Sequence, residues 1–244
     1  MIFQKQNLRL PKVVRPCPIV ESICEVRFEP LVPPDAVFGV SYAILSAMVG
    51  KPTQLPILTL PPEIREKDLN LRFQPHYKFE SLGYVMQLGP RVASVAASMP
   101  YPGWGEFSSA VKARIQALVK AGVVGAIKRF GLRYINFIEG DVFGKIDLEM
   151  RINGQDIAAR ETSLTLIIDH HYSHIVRIRK DVNVTVAQKK PMFGSVIDID
   201  SFVADPSGGF AAFDTFFETA HTDEKTLFFG MLKQDFLATL NPEY

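Results

Sequence analysis

Cysteine, net charge and long apolar runs are all scarce in this 244-residue chain, and each scarcity excludes a class of protein. Cys17 and Cys24 are the only cysteines. Two cysteines cannot hold a disulfide-rich secreted fold together, and a metal site would need more ligands than they offer. Because Cys24 falls on the predicted inward face of a strand, we expect two reduced thiols in a cytoplasmic protein.

The charge balance gives no global sign of a polyanionic partner. The chain carries 27 lysines and arginines against 26 acidic residues, a net charge of +1. A nucleic-acid or anionic-membrane partner usually requires a larger positive excess, although a local basic patch is compatible with this total. The apolar stretches are shorter than the roughly 20 residues of a membrane helix, and the N-terminus does not resemble a secretory signal. We therefore expect no membrane association.

Motifs of known reaction chemistry are also missing. There is no Gly-rich phosphate loop, no Gly-x-Ser-x-Gly elbow and no His-Glu-x-x-His pair. At 47% hydrophobic and 22% charged residues, the composition is that of an ordinary globular protein. We expect a protein that acts by binding rather than by catalysis, with no catalytic residues, no cofactor and no metal.

Apolar periodicity predicts an α+β fold with a largely antiparallel, twisted sheet and helices packed on one face. Residues 1–18 are predicted to form an extended arm, because three prolines interrupt them. Residues 19–244 are predicted to be a single α+β domain, with a weak sub-boundary near 140–144. An N-terminal strand-helix-strands-helix-strand unit precedes a strand meander and two C-terminal helices. The predicted strands are 19–28, 69–80, 84–88, 91–97, 127–139, 163–168, 176–186 and 196–199.

The helices are predicted from apolar stripes and end signals. The first begins near Asp35, with a stripe of Val37, Val40, Ile44 and Met48. The second carries Phe107, Val111, Ile115 and Leu118 and ends at Gly122. Of the two C-terminal helices, one carries Phe213, Phe216, Phe217 and Ala220. The other is predicted to begin at Thr222, with Asp223 and Glu224 in its first turn.

Four arginines are candidate binding residues on the polar side of the sheet. Arg129 and Arg133 share one side of the 127–139 strand, and Arg177 and Arg179 lie on the polar side of another. If the strands are neighbours, four guanidinium groups form a surface for phosphate or nucleic acid. The alternative, which we favour, is that carboxylates such as Glu21 and Glu25 on the first strand pair with them and neutralise the patch.

Asn136 is the fifth candidate binding residue, because it lies on the apolar side of the 127–139 strand. A buried amide without a partner costs about 1–3 kcal/mol, so we expect Asn136 to be hydrogen-bonded. Such a residue usually fixes a loop or a strand register, and a minority of such residues contact a ligand.

Two clusters have the composition of a metal site. The segment from Asp169 to His174 holds three histidines and an aspartate, and Asp198 and Asp200 share one side of a short strand. We interpret the first as a solvated hairpin tip, because local clusters seldom aim all their ligands at one point and no matching ligand set appears elsewhere. The second is typical of a strand end at the surface.

Phenylalanine is abundant, at 18 residues, and many lie between residues 202 and 236. A phenylalanine stripe at helical spacing usually belongs to the core. The alternative is that the two C-terminal helices present an apolar surface to a protein partner or to a second copy of the chain.

Three sequence blocks carry a resemblance to a known family. They are Pro18-Ile19-Val20-Glu21-x-x-x-Glu25-x-Arg27-Phe28, Tyr101-Pro102-Gly103-Trp104-x-x-Phe107 and Gly131-Leu132-Arg133-Tyr134-Ile135-Asn136. The chain resembles a sporadically distributed bacterial family of uncharacterised proteins of similar length. Its members have a Tyr-Pro-x-aromatic helix start and a Gly-Leu-Arg-Tyr-Ile-Asn strand. The scattered distribution implies a defence or toxin–antitoxin locus, and the resemblance carries over no catalytic residue.

Three functions are compatible with these observations. The first, which we favour, is protein–protein binding through the polar sheet face or the phenylalanine-rich helices. The second is nucleic-acid or nucleotide binding through the four arginines. The third is an enzyme with a pocket around Arg133, Tyr134 and Asn136, which requires a strand bulge because Arg133 and Asn136 face opposite ways.

Overall fold

A computed structural model describes residues 9–156, 162–184 and 191–244. Its strands are β1 (Ile19–Pro30), β2 (Pro52–Gln54), β3 (Tyr77–Ser81), β4 (Tyr84–Leu88), β5 (Val92–Ser98), β6 (Val124–Glu139), β7 (Arg151–Ile152), β8 (Gln155–Asp156), β9 (Ser163–Asp169), β10 (Ser173–Val184) and β11 (Met192–Ala204). Its helices are α1 (Val37–Leu45), α2 (Pro62–Lys67), α3 (Trp104–Lys120), α4 (Phe213–Met231) and α5 (Gln234–Thr239).

One antiparallel sheet of nine strands forms the centre of the described chain, in the order β2-β3-β4-β5-β1-β6-β11-β10-β9. Strands β7 and β8 form a separate small hairpin. The predicted α+β fold is therefore confirmed, including the two helices at the C-terminus. Strands from both sides of the 140–144 segment belong to the same sheet.

Strand β6 is the central strand, pairing with β1 on one side and β11 on the other. It contains the whole predicted 127–139 strand and begins three residues earlier, at Val124. Its residues alternate between the two faces, as in any regular strand. Phe130, Leu132 and Tyr134 point to the face that carries the helices, which we call the inner face. The opposite face, here the outer face, carries Arg129 and Arg133.

The core lies between the inner face and helices α3 and α4. Cys24 of β1 is fully buried there, as its place on the inward side of the strand predicted. All four residues of the predicted α3 stripe are buried: Phe107, Val111, Ile115 and Leu118. Helix α3 ends before Gly122, whose φ of +71° is the left-handed conformation that a C-terminal glycine supplies.

Two local predictions in the first half of the chain are wrong. In α1 the buried residues are Val37, Ser41 and Leu45, whereas Val40 and Ile44 of the predicted stripe are exposed. The strand predicted over 69–80 begins only at Tyr77. Residues 69–72 turn back instead, with Arg72 N–H bonded to the Asp68 carbonyl at 2.9 Å. Pro75, which has no N–H to give to a sheet, ends the alternating pattern.

The later strands and the C-terminal helices also differ from the prediction. Strand β11 is 13 residues long rather than the four of 196–199. The last two residues of the predicted 176–186 strand lie outside the described residues. Helix α4 continues through Thr222, whose hydroxyl donates to the Glu218 carbonyl at 3.1 Å within the helix, so it does not act as a cap. The interruption between the two C-terminal helices lies instead at Leu232, where the backbone is extended.

Residues 9–18, here the N-terminal arm, run extended along the C-terminus; residues 1–8 of the predicted arm lie outside the described residues. Val13 forms a bridge with Glu243, and the Lys12 N–H donates to the Glu243 carbonyl at 2.6 Å. Arg15 pairs with the Glu243 carboxylate, and its N–H donates to the Leu240 carbonyl at 2.6 Å. Arm and C-terminus therefore hold each other in place beside the sheet.

No helix within the described ranges combines the length and the apolar character that a membrane crossing requires.

Candidate functional site

The arginines of the outer face are paired with carboxylates. Arg129 donates to Glu25 at 2.8 Å and, through its other terminal nitrogen, to both oxygens of Asp200 at 2.8 and 2.9 Å. Arg133 forms a two-bond fork with Asp198, both bonds 2.7 Å long. These bonds raise the pKa of the Arg133 guanidinium. The expectation that pairing neutralises this face is confirmed for Arg129 and Glu25.

The two remaining arginines do not complete an anion site. Arg177 contacts the same carboxylate as Arg133, with a distance of 3.4 Å to Asp198. Arg179 is exposed and forms no ion pair with any described residue. Because Asp198 and Asp200 are both taken up by guanidinium groups, they are also poor candidates for a cation site. The four arginines therefore lie on one face without forming a free basic surface.

Gly131, in the third block of the resemblance, allows the Arg129 guanidinium to lie flat on the strand. A Cβ atom at position 131 would come within 2.1 Å of the Arg129 Nη1. Any side chain there would push the guanidinium away from its two carboxylates. The glycine is thus explained by the ion pairs rather than by a turn.

Asn136 lies on the inner face, opposite to the arginines, and is 3% exposed. Its Nδ2 donates to the carbonyl of Ile197, its register partner on β11, at 3.2 Å. The prediction of a buried, hydrogen-bonded amide is therefore confirmed. Asn136 also lines a cavity, so it is both a register residue and a candidate ligand contact.

The cavity has a volume of about 590 Å³ and lies between the N-terminal arm, the start of α3, the inner face and α4. Ligand sites usually fall in the range of about 300–1,000 Å³. Apolar and aromatic residues form most of its wall: Val13, Val14, Ile19, Tyr101, Trp104, Ile199, Phe228 and Phe229. Polar side chains complete the wall: Tyr134, Asn136, His221, Glu224 and Lys225, with Lys12, Arg15 and Cys17 from the arm. A mainly apolar wall with convergent polar groups is typical of small-molecule sites.

The turn before α3 brings two aromatic residues to the cavity. Gly103 has a φ of +93°, a conformation that residues with a side chain rarely adopt. Tyr101 precedes it and Trp104 follows it, and both side chains line the cavity. Trp104 stacks on His221 of α4 with a ring distance of 3.8 Å and an angle of 1°. This stack joins α3 to α4 at the cavity wall.

Three polar side chains of the wall form a hydrogen-bonded chain. The Tyr101 and Tyr134 hydroxyls are 3.3 Å apart, and the Tyr134 hydroxyl is 3.1 Å from Nδ1 of His221. Burial, together with the charge of Lys225, lowers the pKa of His221 to about 3. Burial also raises the pKa of both tyrosines. All three groups are therefore uncharged near neutral pH.

Glu224 is the most unusual group in the wall. It is 2% exposed, and its Oε1 accepts a bond from the Ser201 N–H at 3.3 Å. Its Oε2 has no hydrogen-bond partner within the described protein. Burial raises the pKa of this carboxyl well above its ordinary value, which favours the neutral acid. A neutral carboxylic acid can donate one hydrogen bond to a ligand.

Sequence reasoning missed His221 and Glu224 because it placed a helix start at Thr222. A residue in the exposed first turn of a helix needs no special explanation. In the continuous α4, Phe217, His221, Glu224 and Phe228 follow one another at spacings of four, three and four, the period of a buried stripe. An ionisable residue within such a stripe is the signal that would have found the site.

The phenylalanines of α4 do not form the contact surface that the sequence offered as an alternative. Phe213, Phe216, Phe217, Phe228 and Phe229 are all buried. Their rings pack against each other and against residues of the sheet, as with Phe130 and Phe216 at 5.6 Å. The reason is that α4 lies directly on the inner face. The core interpretation of this stripe is the correct one.

No protein-family model matches this chain, and a search of curated proteins finds no similar protein.

Proposed function

We propose that the protein is a binding protein whose cavity takes a small organic molecule with an apolar body and an uncharged polar end. The observation that carries this proposal is the Glu224 carboxyl: the residue lines the cavity, and its buried Oε2 has no hydrogen-bond partner among the described residues. Leaving such a group without a partner costs about 1–3 kcal/mol. A ligand that accepts a hydrogen bond from it, for example through a carbonyl oxygen, would recover this loss.

The lining side chains from the sheet and from the start of α3 are uncharged, and so is His221 of α4. Of the basic lining residues, Arg15 is paired with the Glu243 carboxylate, and burial lowers the pKa of Lys225. A flat apolar body would contact Trp104, Phe228 and Phe229. Binding, rather than turnover, is the function that this set of groups supports best.

The three blocks that carry the family resemblance support the same site. Pro18 and Ile19 come from the first block, Tyr101 to Trp104 from the second, and Tyr134 and Asn136 from the third. They are far apart in sequence and meet at one cavity. The resemblance thus favours the cavity as the functional part of the fold. On the resemblance alone, we also propose that the protein belongs to a bacterial defence or toxin–antitoxin locus.

Nile red, an uncharged aromatic dye with a carbonyl group, is a suitable probe of the cavity. We expect saturable binding at a stoichiometry of one, seen as a rise in dye emission. Val13→Phe fills the cavity from the arm and should weaken dye binding at least about tenfold, a loss of about 1.4 kcal/mol. Leu69→Phe, at an exposed site away from the cavity, is the matched control and should bind as the wild type does. Equal binding by all three proteins would refute the proposal.

A second candidate, recognition of another protein, is favoured by the edge of the sheet. Strand β9 pairs with β10 on one side and with no described strand on the other. Ile167 of β9 is 70% exposed, which is unusual for a large apolar residue at a free edge. Open edge strands are sites at which a partner strand can add to a sheet.

The edge proposal predicts that Ile167→Lys abolishes recovery of a partner protein from the native host, since a lysine on an edge strand opposes strand addition. Leu69→Lys, an equally exposed apolar residue elsewhere, should leave recovery unchanged. Affinity capture followed by mass spectrometry measures both. A partner retained by Ile167→Lys, or lost equally in both variants, would count against the edge.

Nucleic-acid or nucleotide binding through Arg129, Arg133, Arg177 and Arg179 gains no support from the geometry. Three of the four guanidinium groups contact carboxylates within the fold. An enzyme pocket uniting Arg133 with Tyr134 and Asn136 gains none either, because Arg133 lies on the opposite face of the sheet.

A further inference from the structure

The turn between β9 and β10 meets helix α4 at a second group of polar side chains, separate from the cavity. His170 and His171 lie in the turn, His174 lies on β10 and Asp223 lies on α4. We call these four residues the histidine cluster; none of them lines the cavity. The sequence placed three of them in one short segment, and the fold adds the fourth ligand from a distant helix.

The carboxylate of Asp223 is the centre of the histidine cluster. Its Oδ2 lies 3.2 Å from Nδ1 of His171, 3.6 Å from Nε2 of His174 and 4.0 Å from Nδ1 of His170. The ligand atoms of His170, His171 and Asp223 all lie within 4.8 Å of one another. In a tetrahedral zinc site with bonds of about 2.0–2.1 Å, neighbouring ligand atoms are about 3.4 Å apart. The ligand atoms of His170, His171 and Asp223 therefore lie close enough together for one zinc ion to draw them into its coordination sphere. His174 adds a fourth nitrogen beside the Asp223 carboxylate.

His174 provides independent evidence for a ligand. It is fully buried, and its Nδ1 is 2.7 Å from the Ser201 hydroxyl. Its Nε2, which faces Asp223, has no hydrogen-bond partner within the described ranges of the chain. Metal-bound histidines commonly use the other ring nitrogen to contact a polar group, which fixes the orientation of the ring. Ser201 supplies that contact here.

We propose that His170, His171, His174 and Asp223 form a site for a divalent transition metal, with zinc as the first candidate. Three imidazoles and one carboxylate are a donor set that zinc accepts. Four protein ligands make a closed site, which is typical of a structural role. The metal fastens the β9–β10 turn to α4.

Ser201 lies between the metal site and the cavity wall and contacts a residue of each. Ser201 contacts His174 through its hydroxyl and Glu224 through its N–H. Glu224 follows Asp223 directly in α4. A metal held by Asp223 therefore fixes the helical turn that presents Glu224 to the cavity. The metal proposal itself is independent of what the cavity binds.

Zinc titration of untagged protein, dialysed first against a chelator and then into chelator-free buffer, tests the proposal. We expect calorimetry to show one zinc per chain with a dissociation constant below about 1 µM, and the melting temperature to rise in excess zinc. Cobalt, used as a spectroscopic substitute, should give the visible absorption of a tetrahedral site. The absence of saturable binding, or a stoichiometry well away from one, would overturn the proposal.

Matched variants locate the ion. Asp223→Asn keeps the shape of the side chain, and His171→Ala changes an exposed residue, so neither should prevent folding. Each should weaken zinc affinity at least about 100-fold. Asp169→Asn changes the neighbouring carboxylate of the same turn, which contacts Ser173 instead, and should bind zinc like the wild type. Zinc affinity that persists in Asp223→Asn and His171→Ala, or falls equally in Asp169→Asn, would contradict the assignment.

Discussion

Replacing Phe217 by alanine should lower the free energy of unfolding by about 3–5 kcal/mol. Phe217 is fully buried and contacts Trp104 at a ring distance of 4.8 Å and Phe213 at 5.3 Å. Removing its ring leaves a cavity between α4 and α3, where Phe217 packs against Trp104 and Phe107. Urea denaturation followed by circular dichroism measures the loss.

Phe193→Ala is the matched control for this change. Phe193 is 57% exposed, and its removal should alter stability by less than about 0.5 kcal/mol. The comparison separates the core interpretation of the α4 phenylalanines from the contact-surface interpretation. A Phe217→Ala protein that keeps full stability but loses a partner would show that the core interpretation is wrong.

The second large effect is a change in the pH dependence of stability on replacing Glu224 by glutamine. Burial raises the pKa of Glu224 in the folded state far above the ordinary value of 4.5. Above pH 4.5 the unfolded chain releases this proton while the folded chain retains it. The free energy of unfolding of the wild type therefore falls as the pH rises from 4.5 toward the pKa of Glu224 in the folded state. The wild type should lose up to about 1.4 kcal/mol per pH unit relative to Glu224→Gln in that range.

His221→Gln should show the opposite dependence. The pKa of His221 falls from 6.5 to about 3 on folding, so the unfolded chain takes up a proton below pH 6.5 that the folded chain does not. The stability that depends on the neutral imidazole is complete above pH 6.5 and is lost as the pH falls toward 3. The wild type should therefore lose stability relative to His221→Gln on acidification.

Urea denaturation of the three proteins between pH 4 and 8 measures both effects. The difference between wild type and Glu224→Gln should change mainly above pH 4.5, and that between wild type and His221→Gln mainly below pH 6.5. Differences that stay constant with pH would show that neither group is buried as described. The loss of the bond between His221 and Tyr134 adds only a constant offset.

Local pattern predicted the parts of the fold in which burial follows a regular period. The alternation of β6 and the stripe of α3 continue without interruption, and the structure places both as expected. Residues 69–76 alternate equally well but do not form a strand, because Pro75 and the turn at Asp68 remove them from the sheet. Alternation of apolar and polar residues alone does not show which segments pair with a neighbouring strand.

The cavity and the histidine cluster were harder to predict because each joins distant parts of the chain. Asn136 was identified from its position on an apolar strand face. The sequence pattern places Asp223 and Glu224 in the first turn of a separate helix from Thr222, whereas both lie inside α4, which begins at Phe213. Within the continuous α4, Glu224 lines the cavity and Asp223 contacts His171. The predicted break at Thr222, which lies inside α4, therefore concealed both sites.

The emission of Trp104 during a Nile red titration tests the central claim most directly. Trp104 is the only tryptophan of the chain and lies in the cavity wall. If the cavity is the ligand site, its emission should change saturably with the same midpoint as the dye signal, and this response should be lost in Val13→Phe. Dye binding that leaves Trp104 emission unchanged would place the ligand elsewhere and contradict the account.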